Sequence, residues 1–235
     1  MSPLIWDLAH IGNQEELWLV RDVGGREAVR QDIDELYDAF KHSRSSRPSL
    51  PLLSPEEARS YVATVREKVW DVLSASPLDG RRLERDGFAF GMVAQHEQQH
   101  DETMLATHQL RRGPAVLHAP AAPRAQIRAQ GEVIIGGGEF SMGTSLDPWA
   151  LDNERPAHSR YVSAFAIDIA PVTNAQYVEF IADGGYERPE LWSERGWGHR
   201  NDEGLRAPQF WDRDADGTWW RRHSVSRHPF ARINP

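Results

Sequence analysis

The sequence contains no cysteine. That absence removes disulfides, thiolate nucleophiles, Fe–S clusters and cysteine-type zinc sites. Positive charge is not in excess: 27 Lys and Arg face 35 Asp and Glu, a formal charge of −8. A nucleic-acid partner is not expected, because phosphate backbones select a net basic face. No apolar run approaches the ~18 residues of a membrane span. The first ten residues, MSPLIWDLAH, lack the basic-then-apolar order of a signal peptide. The expectation is an acidic, soluble, cytoplasmic protein with no membrane partner. Its chemistry must rest on histidine, carboxylates, tyrosine and metal.

What is present is enough for a core. The 235 residues are 40% hydrophobic and 26% charged, with ten His and nine Trp. At roughly 100–200 residues per domain, this is one large domain or two ordinary ones. The first half reads as helical. Leu4, Leu8, Ile11, Leu17 and Leu19 recur among polar residues over 4–21, and Gly24-Gly25 closes that segment. Ile33, Leu36, Tyr37 and Phe40 predict a shorter helix over 27–41. His42 to Pro48 is too polar and too rich in Ser and Pro to continue it. Ser54-Pro55-Glu56-Glu57 carries an N-cap, a first-turn proline and first-turn acids, which predicts a helix to about Ser74. Another is predicted from near Gly80 to Arg112, weakened early by Gly87 and Gly91. Long helices with modest loops make an antiparallel bundle over 1–112.

Residues 113–130 are Ala/Pro-rich without an acid and read as a linker. A second domain, 131–235, is then expected to be mixed and loop-rich. Strands are predicted at Val133–Ile135 and Tyr161–Ile169, and a helix over Val172–Ala182 with Thr173 as N-cap. Asp183 to Trp220 shows little periodicity, and Arg221–Pro235 does not look like the finish of a domain.

The strongest local signal is His96-Glu97-Gln98-Gln99-His100 within a predicted helix. Histidines at i and i+4 share one face, so both imidazoles can reach one ion. The string also fits the H-E-x-x-H pattern of zinc peptidases, with Glu97 as base. The context opposes that reading. Thr103 and Ala106 stand where the extended motif needs Gly and His, the stretch after residue 112 holds no acid before Glu132, and Glu102 lies about 200° round the helix from His100. A third imidazole exists upstream. His10 lies on the apolar stripe of its helix, where a lone histidine is more often a satisfied core residue. In a bundle, however, it can converge with His96 and His100. Three neutral imidazoles leave coordination positions open, as a catalytic site requires, and suit zinc, iron, copper or nickel alike. Gln14, one turn past His10, and Gln99, beside His100, are candidates for orienting a polar substrate. Each taken alone reads more readily as a solvated helix-face residue.

Several separated motifs now carry a resemblance. Ser2-Pro3-Leu4-Ile5-Trp6-Asp7-Leu8-Ala9-His10-Ile11-Gly12-Asn13 resembles the N-terminal domain of the ergothioneine-biosynthesis sulfoxide synthases, or hercynine oxygenases, and HEQQHDETML matches as well. Gly137–Gly143, Asp152–His158, Pro171–Tyr177, Gly184-Gly185-Tyr186, Trp192 and Arg195-Gly196-Trp197 resemble their second domain, which is related to formylglycine-generating enzyme. The resemblance covers about residues 2–222. It implies a DinB-like antiparallel helical bundle followed by a C-type-lectin-like, sulfatase-modifying-factor-like loop-rich α+β domain. It implies nonheme iron(II) held by His10, His96 and His100. The implied reaction joins the sulfur of γ-glutamylcysteine, or cysteine, to C2 of the imidazole of hercynine (trimethylhistidine), consuming O2 and leaving a sulfoxide. Gln14 and Gln99 match positions that contact hercynine. Arg44 and Arg47 match the loop that binds the carboxylates of the sulfur substrate, a task suited to the planar guanidinium.

Two departures qualify the match. The family has a helix before the SPLIWDLAH motif, and here Met1 directly precedes it. The family's catalytic tyrosine and an Asn-Trp-Asp-type stretch lie beyond the matching part. No catalytic residue is therefore assigned, Tyr177 and Tyr186 are not given that role, and Ser224–Pro235 is not matched. The expectation is an incomplete second domain and an inactive or partial enzyme as the chain stands. The alternatives are a zinc-dependent hydrolase or thiol transferase on a DinB-like bundle, and a non-catalytic metal-binding fragment.

Overall fold

The structure is a computed structural model that describes residues 2–111, 116–117, 131–223 and 226–230. It divides into two compact units. One comprises residues 1–108 with 139–161, the other 109–138 with 162–235. The expected linker falls outside the described residues except for Val116 and Leu117.

The first unit is built on helices α1 (Leu4–Glu15), α2 (Pro55–Ala75) and α3 (Phe88–Leu110). α1 starts after Pro3 and buries Trp6, Ala9, His10, Ile11 and Asn13. It packs on α2, and the approach is close at Gly12, where a Cβ would stand 2.8 Å from Val62. The helix does not stop at Glu15. Glu16–Val23 continues as a π-helical stretch, and Gly24 N–H donates to Leu19 C=O, five residues back, at 3.0 Å. α2 begins as expected: Ser54 Oγ accepts from Glu57 N–H and Glu57 returns the bond to Ser54 N–H.

Two helical expectations need correction. Residues 27–41 form no α-helix, only a 3₁₀ turn at Gln31–Ile33 followed by turns. The N–H groups of Val29 and Arg30 donate to the buried Glu16 carboxylate instead of to a helix ladder. Ile33 and Tyr37 enter the core, whereas Phe40 is fully exposed, so the apparent stripe is only half used. The helix placed from Gly80 starts instead at Phe88. Leu78, Asp86 and Gly87 take positive φ of 57°, 55° and 70°, a left-handed backbone that cannot continue an α-helix.

The core of this unit gathers Trp6, Ala9, Val20, Ile33, Tyr37, Ala58, Tyr61 and Val65. A second cluster joins Leu19, Val23 and Val72 to Ala89 and Val93 of α3. Strands β2 (Gly138–Met142) and β3 (His158–Val162) pair with each other. The segment between them seats Trp149 against Gly91 of α3, where any Cβ would lie 2.6 Å from the indole, and Trp149 Nε1–H donates to Asp86 C=O.

In the second unit β1 (Glu132–Ile135) pairs antiparallel with β4 (Phe165–Asp168), with Val133 opposite Ile167 and Ile135 opposite Phe165. The single strand expected over 161–169 is thus two, β3 and β4, separated at Ser163-Ala164. Helix α4 (Asn174–Ala182) carries the predicted Thr173 cap, whose Oγ1 accepts from Gln176 N–H. Helix α5 (Glu194–Asp202) was not anticipated, because two glycines and two charged turns hide its period. Strands β5 (Trp211–Arg213), β6 (Trp219–His223) and β7 (Ser226–Pro229) form an antiparallel sheet. Aromatic edges hold this unit: Tyr177 meets Trp211, Tyr186 meets Trp192, and Trp211 meets Trp219.

Candidate metal centre

The three histidines singled out from the sequence meet inside the first unit. His10 points inward from α1 because it shares a face with Trp6, one turn earlier, and its ring stacks on that indole at 4.6 Å and 16°. His96 and His100 project from α3 one turn apart. The ring centroids are 5.1 Å (His10–His96), 4.8 Å (His10–His100) and 4.6 Å (His96–His100) apart. One nitrogen from each ring lies within 4.8 Å of the others, a spacing that admits one ion among them.

The surrounding hydrogen bonds choose the tautomers. His10 Nδ1 lies 2.7 Å from Tyr37 C=O. A carbonyl only accepts, so Nδ1 carries the proton and Nε2 keeps its lone pair. His100 Nδ1 lies 3.0 Å from Asp7 Oδ1, a carboxylate whose side chain is 1% exposed. A carboxylate in that position again leaves Nε2 as the ligand atom and raises its basicity. His96 Nδ1 and Asp7 Oδ2 are buried without a hydrogen-bond partner. Burial, reinforced by the neighbouring imidazoles, lowers the pKa of His10 to about 4, and burial likewise lowers that of His96 to about 4. At neutral pH both rings are therefore uncharged, the form that binds metal. Neutral nitrogen donors, a buried carboxylate behind one of them and an orphaned buried nitrogen on another fit a divalent transition ion.

Arg47 is drawn to the same place. It is buried, with its guanidinium 3.5 Å from the Trp6 ring centroid. Its Nη1 donates to Ser2 Oγ and its Nε to His42 C=O. Its charge helps hold down the His10 pKa, and it is attracted to Asp7. Arg44 is exposed on the same segment. Gln14 is partly buried one turn beyond His10, whereas Gln99 is exposed on α3. The structure thus brings the three histidines and Arg47 together and leaves Arg44 and Gln99 facing solvent.

Glu97 does not serve the centre as the peptidase reading requires. Its Oε1 accepts from Arg66 Nη2 at 2.6 Å, and Arg66 Nε also reaches Glu15 at 3.3 Å. Sequence reasoning missed Asp7, the Tyr37 carbonyl and Arg66. Only Asp7 left a signal, an acid one turn before a candidate ligand on the same helical face.

Both halves of the chain match known domain families. Residues 1–104 match the DinB superfamily, and residues 118–234 match the sulfatase-modifying factor enzyme 1-like domain. The chain is 50% identical over 224 residues to hercynine oxygenase of Mycolicibacterium smegmatis, covering 93% of this chain and 51% of that protein. It is 54% identical over 217 residues to hercynine oxygenase of Mycobacterium tuberculosis, covering 90% of this chain and 50% of that protein. The chain belongs to the hercynine oxygenase family. It spans about half the length of the curated relatives it matches. The second-domain match has its own, more distant relatives: formylglycine-generating enzyme of M. tuberculosis is 43% identical over 54 residues, 23% of this chain and 17% of that protein. The domain match continues to residue 234, past the point near residue 222 where the motifs quoted from the sequence end. Within this family the helical unit is the DinB-type domain and the small sheets belong to the formylglycine-generating-enzyme-like domain. Among the described residues no helix is long and apolar enough to cross a membrane.

Proposed function

We propose that His10, His96 and His100 hold a nonheme iron(II) ion, and that the family's reaction is the O2-dependent union of a thiol with hercynine. The observation that carries this reading is the set of three convergent imidazoles, two with Nδ1 held by an acceptor and Nε2 therefore aimed away from it. Three protein ligands on one side leave the remaining positions open to substrates. Bound iron(II) supplies the redox chemistry by which dioxygen oxidises sulfur and the C–S bond closes. The balance is one thiol, one imidazole C2–H and one O2, giving one sulfoxide and one water. The thiol is that of γ-glutamylcysteine or cysteine, and no protein thiol competes for the ion, since the chain has none.

The chain's own residues bind, orient and shield. Asp7 keeps the His100 proton on Nδ1, and Tyr37 does the same for His10. Trp6 covers one face of His10 and excludes water from it. Arg47 anchors the 42–47 segment to Ser2 and Trp6, and the exposed Arg44 it carries meets a substrate carboxylate. Gln14 and Gln99 offer amides to hercynine from α1 and α3. Against the hydrolase alternative stands the Arg66 ion pair that occupies Glu97.

The test is an anaerobic Fe(II) titration of the chain beside His10→Ala, with zinc as competitor. One iron site per chain, lost in His10→Ala, supports the proposal. Zinc binding that survives His10→Ala yet needs His96 and His100 would overturn it in favour of the hydrolase.

A further inference from the structure

The ligand-bearing helices α1 and α3 face each other across the metal centre, yet the tightest helix packing of α1 is on α2. Two polar links span α1 and α3. One is the Asp7–His100 bond inside the centre. The other passes through α2: Arg66 Nη2 donates to Glu97 Oε1 at 2.6 Å and Arg66 Nε to Glu15 Oε2 at 3.3 Å. Glu97 adjoins His96 on α3, and Glu15 lies five residues beyond His10 on α1, so the guanidinium joins both ligand helices within two turns of their histidines.

We infer that Arg66 is a positioning residue for the metal centre, setting the distance of His10 from His96 and His100. The inference rests on the three-histidine reading above. Its physical basis is the pair of acids it separates. The Glu15 side chain is 8% exposed, and the negative charge of Glu97 acts on it unfavourably while Arg66 acts favourably. Without the guanidinium, two carboxylates would confront each other between α1 and α3 with nothing between them. Like charges at that range repel, more strongly where water is scarce. The helices would part, and the three nitrogens with them. Only Arg can do this from one side chain, because its planar fork presents separate N–H groups to two acceptors, whereas a lysine offers one point charge. Arg66 itself is 42% exposed, so its contribution to overall stability is small and its effect falls on geometry.

The experiment measures Co(II) affinity and the visible spectrum of the bound ion for the intact chain, Arg66→Met, Arg66→Lys and Arg66→Met/Glu97→Gln, with thermal midpoints of the metal-free forms. The expected result is a roughly tenfold loss of affinity and an altered spectrum in Arg66→Met, a smaller loss in Arg66→Lys, and partial recovery in the double variant, where the repulsion is gone. Affinity and spectrum unchanged in Arg66→Met, with only the midpoint lowered, would overturn the inference and leave the three-histidine reading intact. Failure of the unmodified chain to bind Co(II), or binding that persists in His10→Ala, would remove that reading and the inference with it. If Arg66→Met does not fold, Glu15→Ala decides, because it cuts the link from Arg66 to α1. Lowered affinity with an altered spectrum in Glu15→Ala supports the inference, and unchanged affinity and spectrum overturn it.

Discussion

Asp7 accepts the Nδ1 proton of His100 at 3.0 Å, across 93 positions of sequence. The bond joins the first turn of α1 to the middle of α3. It leaves Asp7 Oδ2 buried and bare, so the carboxylate is only half satisfied by the protein. A buried negative charge in that state is costly unless positive charge stands nearby. Arg47 supplies some, and an ion held by His100 would supply more.

Asp7→Asn removes that charge while keeping the side chain's shape. Metal affinity is expected to fall by about 10- to 100-fold, the usual effect of losing an acceptor behind a ligating imidazole. Competitive zinc titration against a chromophoric chelator measures it. Equal affinity in the two proteins would show that Asp7 is merely filling space.

The metal-free protein is expected to lose stability in acid before most proteins of its charge. His10 and His96 ionise near 4 when folded, against 6.5 for the free side chain. Between those values the unfolded chain binds more protons, so unfolding gains as pH falls. Stability is complete above about pH 6.5 and declines toward pH 4, at roughly 1.4 kcal/mol per pH unit for each ring before screening. Thermal melts at pH 7 and pH 5 should differ for the chelated chain and differ less for His96→Gln. Superimposable melts would contradict the lowered pKa values.

Tyr61→Phe tests the buried acid that displaced the expected second helix. Tyr61 O–H donates to Glu16 Oε2 at 2.7 Å, and burial next to that carboxylate pushes the phenol pKa upward, so it remains a donor at every accessible pH. Glu16 is wholly buried and also serves Arg21, Val29 N–H and Arg30 N–H. Losing one donor to a buried charge costs about 1.5–3 kcal/mol. Urea denaturation should report that loss as a lower midpoint with an unchanged slope.

Gly91→Val addresses the seat of Trp149. The new side chain would overlap an indole whose atoms stand 2.6–2.9 Å from the Cβ position. Overpacking of this kind costs about 1–3 kcal/mol. Because Gly91 lies five residues before His96, the variant is expected to weaken metal binding as well, read by the same zinc competition. Full affinity with lowered stability would confine Trp149 to packing.

The sequence by itself determined the local pieces whose signals are local. The Ser54 and Thr173 caps, the amphipathic start of α1 and the i, i+4 histidine pair each depend on neighbours within a turn, and each stands where the pattern put it. The motifs also determined the family, since several short strings in order are specific even when each alone is weak. Other features depended on distant partners and were illegible. Residues 27–41 have helical spacing, but the Glu16 carboxylate takes their N–H groups, and no periodicity encodes a competitor a dozen residues away. The start of α3 was hidden by a left-handed turn at Asp86-Gly87. Above all, tertiary structure decided which nitrogen of each histidine is available. The proton sits opposite a carbonyl from residue 37 and a carboxylate from residue 7, and only folding sets those acceptors against the rings.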